Sequence, residues 1–145
     1  MFNPFKKSYD EKEINFFRYL SRMKIFEKLT YEEMALFQPY FYRREYNMNE
    51  VVFFRNDPSN ALYLVKSGKI SLCIDVRDDF ETLLTIKAGN AFGENSLLKD
   101  GYRVYNAIVI SEKSEMFVLP KVNIDEILTE HYKIKAKMME SLAEI

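Results

Sequence analysis

The feature that most constrains the fold of this chain is a series of six short β-type segments between residues 51 and 119. They fall at residues 51–54, 61–65, 69–76, 81–86, 103–111 and 114–119, with turn-forming residues at 56–58, 67–68, 78–79, 89 and 112–113. Many short strands at this spacing, separated by such turns, are typical of a β-sandwich or a β-roll. The sequence therefore predicts a mainly β protein.

Helical periodicity precedes these strands. Ser8 and Glu11 have the spacing of a capping box, which predicts a first helix over residues 9–24. The apolar stripe of that helix comprises Ile14, Phe17, Leu20 and Met23. A second capping box, formed by Thr30 and Glu33, predicts that another helix begins there.

After the last strand, apolar residues again recur at helical spacing, and Asn123 is the predicted N-cap of one C-terminal helix. We expect this helix to close over the β-roll. The predicted organisation is one domain over residues 1–145, with N-terminal helices at 8–42, a roll at 43–120 and the C-terminal helix at 121–145.

Charge and hydropathy narrow the classes of partner. The chain has 21 Lys and Arg against 22 Asp and Glu, so its net charge of -1 creates no global attraction to nucleic acid or anionic lipid. The longest apolar run, residues 61–65, is far too short to cross a membrane. Any anion site must therefore be local, and no membrane association is expected.

The counts of cysteine and histidine limit which disulfides and metal sites the chain can form. A single cysteine excludes an intramolecular disulfide and favours a reducing compartment, so a cytoplasmic location is expected. A single histidine, His131, excludes a metal site built from several histidines. We predict no metal and no cofactor, and metal-dependent catalysis is poorly supported.

Residues 87–107 contain three of the four glycines together with Glu94 and Arg103. Glycines 89 and 93 loosen the backbone, and residues 95–99 can form one short helical turn before the next strand. The free amides at the start of such a turn suit an anion, and an arginine provides forked donors for a phosphate.

These residues resemble the phosphate-binding cassette of the cyclic-nucleotide-binding domain family, which includes catabolite-activator-type regulators and protein kinase A regulatory subunits. The matching positions are Gly89, Phe92-Gly93-Glu94, Leu97-Leu98 and Arg103. Residues 25–37 and 61–74 resemble the entry helix and the strand-turn-strand signature of the family. Asn49 and Asn56 stand where the family usually has glycine, and asparagine tolerates left-handed backbone.

The resemblance implies a double-stranded β-helix, or jelly roll, with N-terminal helices, a cassette segment at residues 89–103 and a C-terminal helix. It also implies that Glu94 accepts a hydrogen bond from a ribose 2'-hydroxyl and that Arg103 pairs with a cyclic phosphate. The candidate ligand-binding residues are Phe92, Gly93, Glu94, Asn95, Ser96, Leu97, Arg103, Val104 and Tyr105. Taken without the pattern around them, Glu94 would be a turn cap and Arg103 a solvated surface charge.

The chain departs from the family pattern directly after Arg103. A small hydroxyl residue and alanine are usual there, whereas this chain has Val104 and Tyr105. A second alignment places Asn106 and Ala107 at the small positions and Arg103 in a longer loop. Strand alternation turns Tyr105 to the same side as Arg103, where its ring could stack on a purine or fill the pocket.

Two functions of different classes follow. The first is a non-enzymatic regulatory sensor that binds cyclic AMP or cyclic GMP and signals through its C-terminal helix to an unidentified protein partner, with a homodimer formed through the helices. The alternative is a degenerate domain of the same fold that binds no nucleotide and serves in protein interaction or dimerisation. Because the chain ends at Ile145 without a helix-turn-helix module, direct DNA binding is not expected.

Overall fold

A computed structural model describes residues 8–98 and 100–145. Residues 1–7 and Lys99, the predicted end of the cassette turn, lie outside the described residues. The helices are α1 Glu11–Ser21, α2 Tyr31–Phe37, α3 Lys121–Glu130 and α4 Tyr132–Ala143. The strands are β1 Tyr42–Asn47, β2 Val51–Phe53, β3 Ala61–Ser67, β4 Lys69–Val76, β5 Asp79–Lys87, β6 Ala91–Phe92, β7 Asn106–Val109 and β8 Lys113–Pro120. Short 3₁₀ helices lie at Gln38–Tyr40 and Glu94–Leu97, and the second is called the cassette turn below.

The strands form two four-stranded antiparallel sheets, in the orders β1-β8-β3-β6 and β2-β7-β4-β5. This arrangement, with helices at both ends of the chain, confirms the predicted β-roll class. Two strands were not predicted. In β1 the only buried residue is Tyr46, so an inward-facing alternation is absent, and β6 is two residues long.

The strand predicted at residues 103–111 is shorter than expected. β7 begins at Asn106, and the backbone of Arg103 bonds to a loop instead of to a strand. Its amide donates to the Asp57 carbonyl at 2.8 Å, and its carbonyl accepts from the Asn56 amide at 2.8 Å. The predicted left-handed asparagines are confirmed, since Asn49 and Asn56 have φ of 69° and 73°.

Helix starts show which sequence signals were specific. The capping box of α1 uses Asp10 and Glu13, so the prediction of Ser8 and Glu11 was wrong by two residues, whereas the box of Thr30 and Glu33 is confirmed. Both boxes place a carboxylate at the positive end of the helix dipole.

The prediction of one C-terminal helix capped by Asn123 was also wrong. α3 begins directly after Pro120, which is its N-cap, so Asn123 lies inside the helix. At His131 the backbone leaves the helical region, with φ of -128° and ψ of 83°, and separates α3 from α4. No helix in the described ranges has the length and apolar character needed to cross a membrane.

The interior is divided into two cores. The helical core joins the N-terminal and C-terminal helices and contains, among others, Phe17, Leu20, Phe26, Phe37, Ile124, Ile134 and Met138. The roll core lies between the sheets and contains, among others, Tyr46, Phe53, Tyr63, Val65, Ile70, Phe92 and Val118. Leu97 of the cassette turn packs in the helical core, so this turn lies where the two cores meet.

Candidate functional site

Gly93 makes the turn that brings β6 into the cassette turn. Its φ of 81° lies in the left-handed region, and a β-carbon there would lie 2.7 Å from Nη1 of Arg103 and 3.2 Å from the Ala61 carbonyl oxygen. Glycine is therefore required for both conformation and space. The close approach delivers the Gly93 carbonyl to the arginine.

Arg103 is buried, with 2% of its surface exposed. Its Nη1 donates to the Gly93 carbonyl at 3.1 Å and to Oδ1 of Asn95 at 3.0 Å, and its Nη2 donates to the Ala61 carbonyl at 2.6 Å. Its Nε has no hydrogen-bond partner among the described residues. A buried donor without a partner is uncommon in folded proteins and requires an explanation.

Aromatic rings line the space around this guanidinium. Its central carbon lies 4.1 Å from the ring centroid of Phe53 and 5.8 Å from that of Tyr63. Tyr63 stacks on Phe92 at 5.2 Å, and Tyr105 lies 6.0 Å from Phe53 between ring centroids. A cation held on ring faces is stabilised there without being neutralised by a carboxylate.

Glu94 is the acidic member of the site. Burial raises the pKa of its carboxyl, against the lowering effects of its own backbone amide and of Arg103. Burial likewise lowers the pKa of Arg103, although a guanidinium remains charged at neutral pH. In the described part of the chain the two side chains form no ion pair within 4.0 Å, so each retains capacity for a ligand.

The remaining polar groups fix the loop. Asn95 accepts from Arg103 and donates through Nδ2 to the Tyr102 carbonyl at 2.6 Å, so it joins the two ends of the loop. The amide of Ser96 donates to the Gly93 carbonyl at 3.1 Å, and its buried hydroxyl has no partner within residues 8–98 and 100–145. The cassette turn is thus pre-organised before any ligand is bound.

Lys121, at the start of α3, connects this turn to the C-terminal helices. Its ammonium donates to the carbonyls of Ser96 and Leu98 at 2.8 Å each and lies 3.4 Å from the Asp125 carboxylate. These carbonyls are at the negative end of the turn, where a cation is favoured. The sequence carried no signal for this contact because the partners are more than 20 residues apart.

The structure brings together most of the predicted site residues, namely Phe92, Gly93, Glu94, Asn95, Arg103 and Tyr105. Leu97 lies in the helical core, and Val104 is 65% exposed. Sequence reasoning missed Phe53, Tyr63 and Lys121. The position of Arg103 in a loop before β7 favours the alignment that assigns Asn106 and Ala107 to the small positions.

Comparison with known proteins identifies the type of domain. The cyclic nucleotide-binding domain family matches residues 43–131. The cyclic AMP receptor protein of Thermus thermophilus is 38% identical over 96 residues, which cover 66% of this chain and 44% of that protein. The human cyclic nucleotide-gated channel beta-1 is 26% identical over 133 residues, which cover 90% of this chain and 10% of the channel. The chain thus spans less than half the length of either relative.

Solved structures show the same fold. The regulatory domain of Toxoplasma gondii PKA with cAMP superposes with a TM-score of 0.73 at 19% identity and covers 83% of this chain and 46% of that one. The sensor domain of the transcriptional regulator DNR from Pseudomonas aeruginosa gives a TM-score of 0.77 at 17% identity and covers 93% and 91%. At these identities the likeness concerns the fold alone. The sequence match over residues 43–131 shows more than a shared fold: this chain belongs to the cyclic nucleotide-binding domain family.

Proposed function

We propose that this chain is a non-enzymatic regulatory sensor that binds a cyclic purine nucleotide, cyclic AMP or cyclic GMP, at the cassette turn. The observation that carries the proposal is the buried Arg103, which among the described residues has no hydrogen-bond partner at Nε and no carboxylate within 4.0 Å. A cyclic phosphodiester supplies one negative charge and several acceptor oxygens, which fits a forked cation in a water-poor site.

Glu94 would hold the sugar. A carboxylate accepts hydrogen bonds, and the 2'-hydroxyl of a cyclic ribonucleotide offers one donor. Burial has already removed part of the water that would compete for this carboxylate. The proposed assignment is therefore Arg103 for the phosphate and Glu94 for the ribose. Of the cassette amides, that of Asn95 would add a donor, because the Ser96 amide already donates to the Gly93 carbonyl.

The signal would leave through Lys121. A ligand that pulls on the cassette turn changes the position of the Ser96 and Leu98 carbonyls, to which Lys121 is bonded. α3 would follow, and α4 with it, because Ile124 and Ile134 share the helical core. A protein partner, or a second copy bound through the helices, would recognise this shift.

Calorimetric titration with cyclic AMP and cyclic GMP tests the proposal. We expect one site per chain and a rise in melting temperature, since ligand at 100 times its Kd adds about 2.7 kcal/mol of stability. Arg103→Ala should weaken binding by roughly 2 to 5 kcal/mol. Arg55→Ala, which removes the charge of an exposed arginine, is the matched control and should bind normally. Unchanged affinity in Arg103→Ala would remove Arg103 from the site.

One observation favours the alternative function. The rings of Phe53, Tyr63, Phe92 and Tyr105 occupy the interior beside Arg103, as a degenerate domain without nucleotide would allow. Such a domain would serve in protein interaction or dimerisation through the same helices. Stoichiometric micromolar binding of either nucleotide would reject this alternative, and light scattering would measure the oligomeric state.

A further inference from the structure

We infer that Tyr105 is an internal occupant of the nucleotide pocket, whose ring must leave before a cyclic nucleotide binds and which thereby determines the affinity of this domain. The inference rests on the proposed function and concerns its regulation. It assigns a role to the residue at which this chain departs most from the family pattern.

The Tyr105 ring lies beside the proposed phosphate site. Tyr105 packs against the roll core, 6.0 Å from Phe53 at an interplanar angle of 34°. The guanidinium of Arg103 lies 4.1 Å from that same Phe53 ring. Tyr105 and Arg103 therefore flank one shared ring, so the Tyr105 ring lies beside the position proposed for the phosphate.

The Tyr105 hydroxyl is influenced by the charged groups of the same site. After burial, the largest influences on the pKa of Tyr105 are the Glu94 carboxylate, which raises it, and Arg103 and the Gly93 amide, which lower it. A carboxylate acceptor, a cation and a backbone amide are the groups that a ribose hydroxyl and a phosphate would require. The phenol therefore lies within the electrostatic influence of the two side chains to which the ribose and the phosphate are assigned.

The Tyr105 ring is free to move out of the pocket without disrupting a strand. Residues 103–105 belong to no strand, because β7 begins at Asn106. Val104 beside it is 65% exposed, so the chain there lies at the surface. Rotation of the Tyr105 side chain breaks no hydrogen bonds of the sheet, whereas the Arg103 backbone stays anchored to Asn56 and Asp57.

In this arrangement the apparent affinity is the intrinsic affinity multiplied by the fraction of molecules in which the ring has left the pocket. If that fraction is about 1 to 10%, removal of the ring should tighten binding about 10- to 100-fold. The effect is opposite in sign to that of an ordinary contact residue, whose removal weakens binding.

The experiment is calorimetric titration of cyclic AMP and cyclic GMP into the whole chain and its Tyr105→Ala and Tyr105→Phe variants. We expect Tyr105→Ala to bind at least about tenfold more tightly and Tyr105→Phe to lie between it and the unaltered protein. Tyr132→Ala, at a tyrosine that is 75% exposed on α4, should leave the affinity unchanged. Melting curves establish that each variant is folded.

The outcomes separate the two proposals. If the unaltered protein binds and Tyr105→Ala binds equally or more weakly, the occupancy of the pocket by Tyr105 is refuted while nucleotide binding stands. If neither binds although both are folded, nucleotide binding itself is refuted, and the inference with it.

A second measurement applies if Tyr105→Ala does not fold. With 3-fluorotyrosine at all ten tyrosines, the fluorine resonance missing from Tyr105→Phe identifies Tyr105. Saturating nucleotide should move that resonance to the position of an exposed tyrosine. A resonance whose position is the same in the free and the bound state overturns the inference.

Discussion

The helical core consists of aromatic and aliphatic side chains, whereas the roll end buries a cation and several polar groups beside its rings. Among the described residues, buried polar side-chain atoms without partners include Arg103 Nε, Tyr46 Oη, Ser59 Oγ and Ser96 Oγ in the roll and its cassette turn. The helices contribute Ser141 Oγ alone to this set. A core with few unpaired buried polar groups provides stability. A core that leaves hydrogen-bond donors unpaired loses stability but keeps those donors for a ligand.

The largest expected effect tests the first half of this contrast. Phe26 has no exposed surface, and its ring centroid lies 5.9 Å from Phe37 and 6.2 Å from Phe41. Phe26→Ala should lower the free energy of unfolding by about 3 to 5 kcal/mol, because it removes a buried ring and leaves a cavity. Urea denaturation measures this loss. Phe54→Ala, at a ring that is 52% exposed, is the control and should change stability by less than about 1 kcal/mol.

The milder Phe26→Leu variant sharpens the comparison. It should lose stability and keep its affinity for cyclic nucleotide, since the ring packs in the helical core whereas Arg103 lies against rings of the roll core. A loss of affinity in proportion to the loss of stability would mean that the two cores behave as one unit, contrary to the division described above.

An intermediate effect is expected at the contact that joins the two regions. Lys121→Met should reduce stability by about 1 kcal/mol, because charge-assisted bonds to two carbonyls are lost from a side chain that is partly exposed. It should also reduce the change that nucleotide causes in hydrogen exchange of α3 and α4. Lys133→Met, at an exposed lysine of α4, is the control. Equal ligand-induced protection in Lys121→Met and the unaltered protein would show that the signal takes another route.

Local signals explain what the sequence could predict. The box of Thr30 and Glu33 depends on residues three apart, and the left-handed turns at Asn49 and Asn56 depend on single residues, so each was recognisable without tertiary structure. Glu94 and Arg103 were recognisable because a family pattern surrounds them. The burial of Arg103 beside the cassette turn follows from Gly93, whose missing side chain admits the guanidinium.

Tertiary contacts explain what it could not predict. β1 forms because it pairs with β8. Only one of its residues is buried, so its sequence shows no alternation of buried and exposed positions. Phe53 and Tyr63 become site residues only when their two sheets are packed together. The break at His131 likewise depends on tertiary context, because local propensity alone would continue one helix through it.

The smallest expected effect concerns the charge at Glu94 and tests the second half of the contrast. Burial raises the pKa of this carboxyl in the folded protein. Between the ordinary glutamate pKa and the raised one, the native state binds more protons than the unfolded state, so stability falls as pH rises through this window. Glu94→Gln should therefore stabilise the ligand-free protein at neutral pH, by an amount of order 0.5 kcal/mol or roughly 2 °C, and should flatten the dependence of melting temperature on pH in that window.

The same variant should bind cyclic nucleotide more weakly, because a carboxamide is a poorer acceptor for the ribose hydroxyl than a carboxylate. If the site is kept at the expense of stability, Glu94→Gln must show both higher stability and lower affinity. A variant that loses both would make Glu94 a structural cap of its turn.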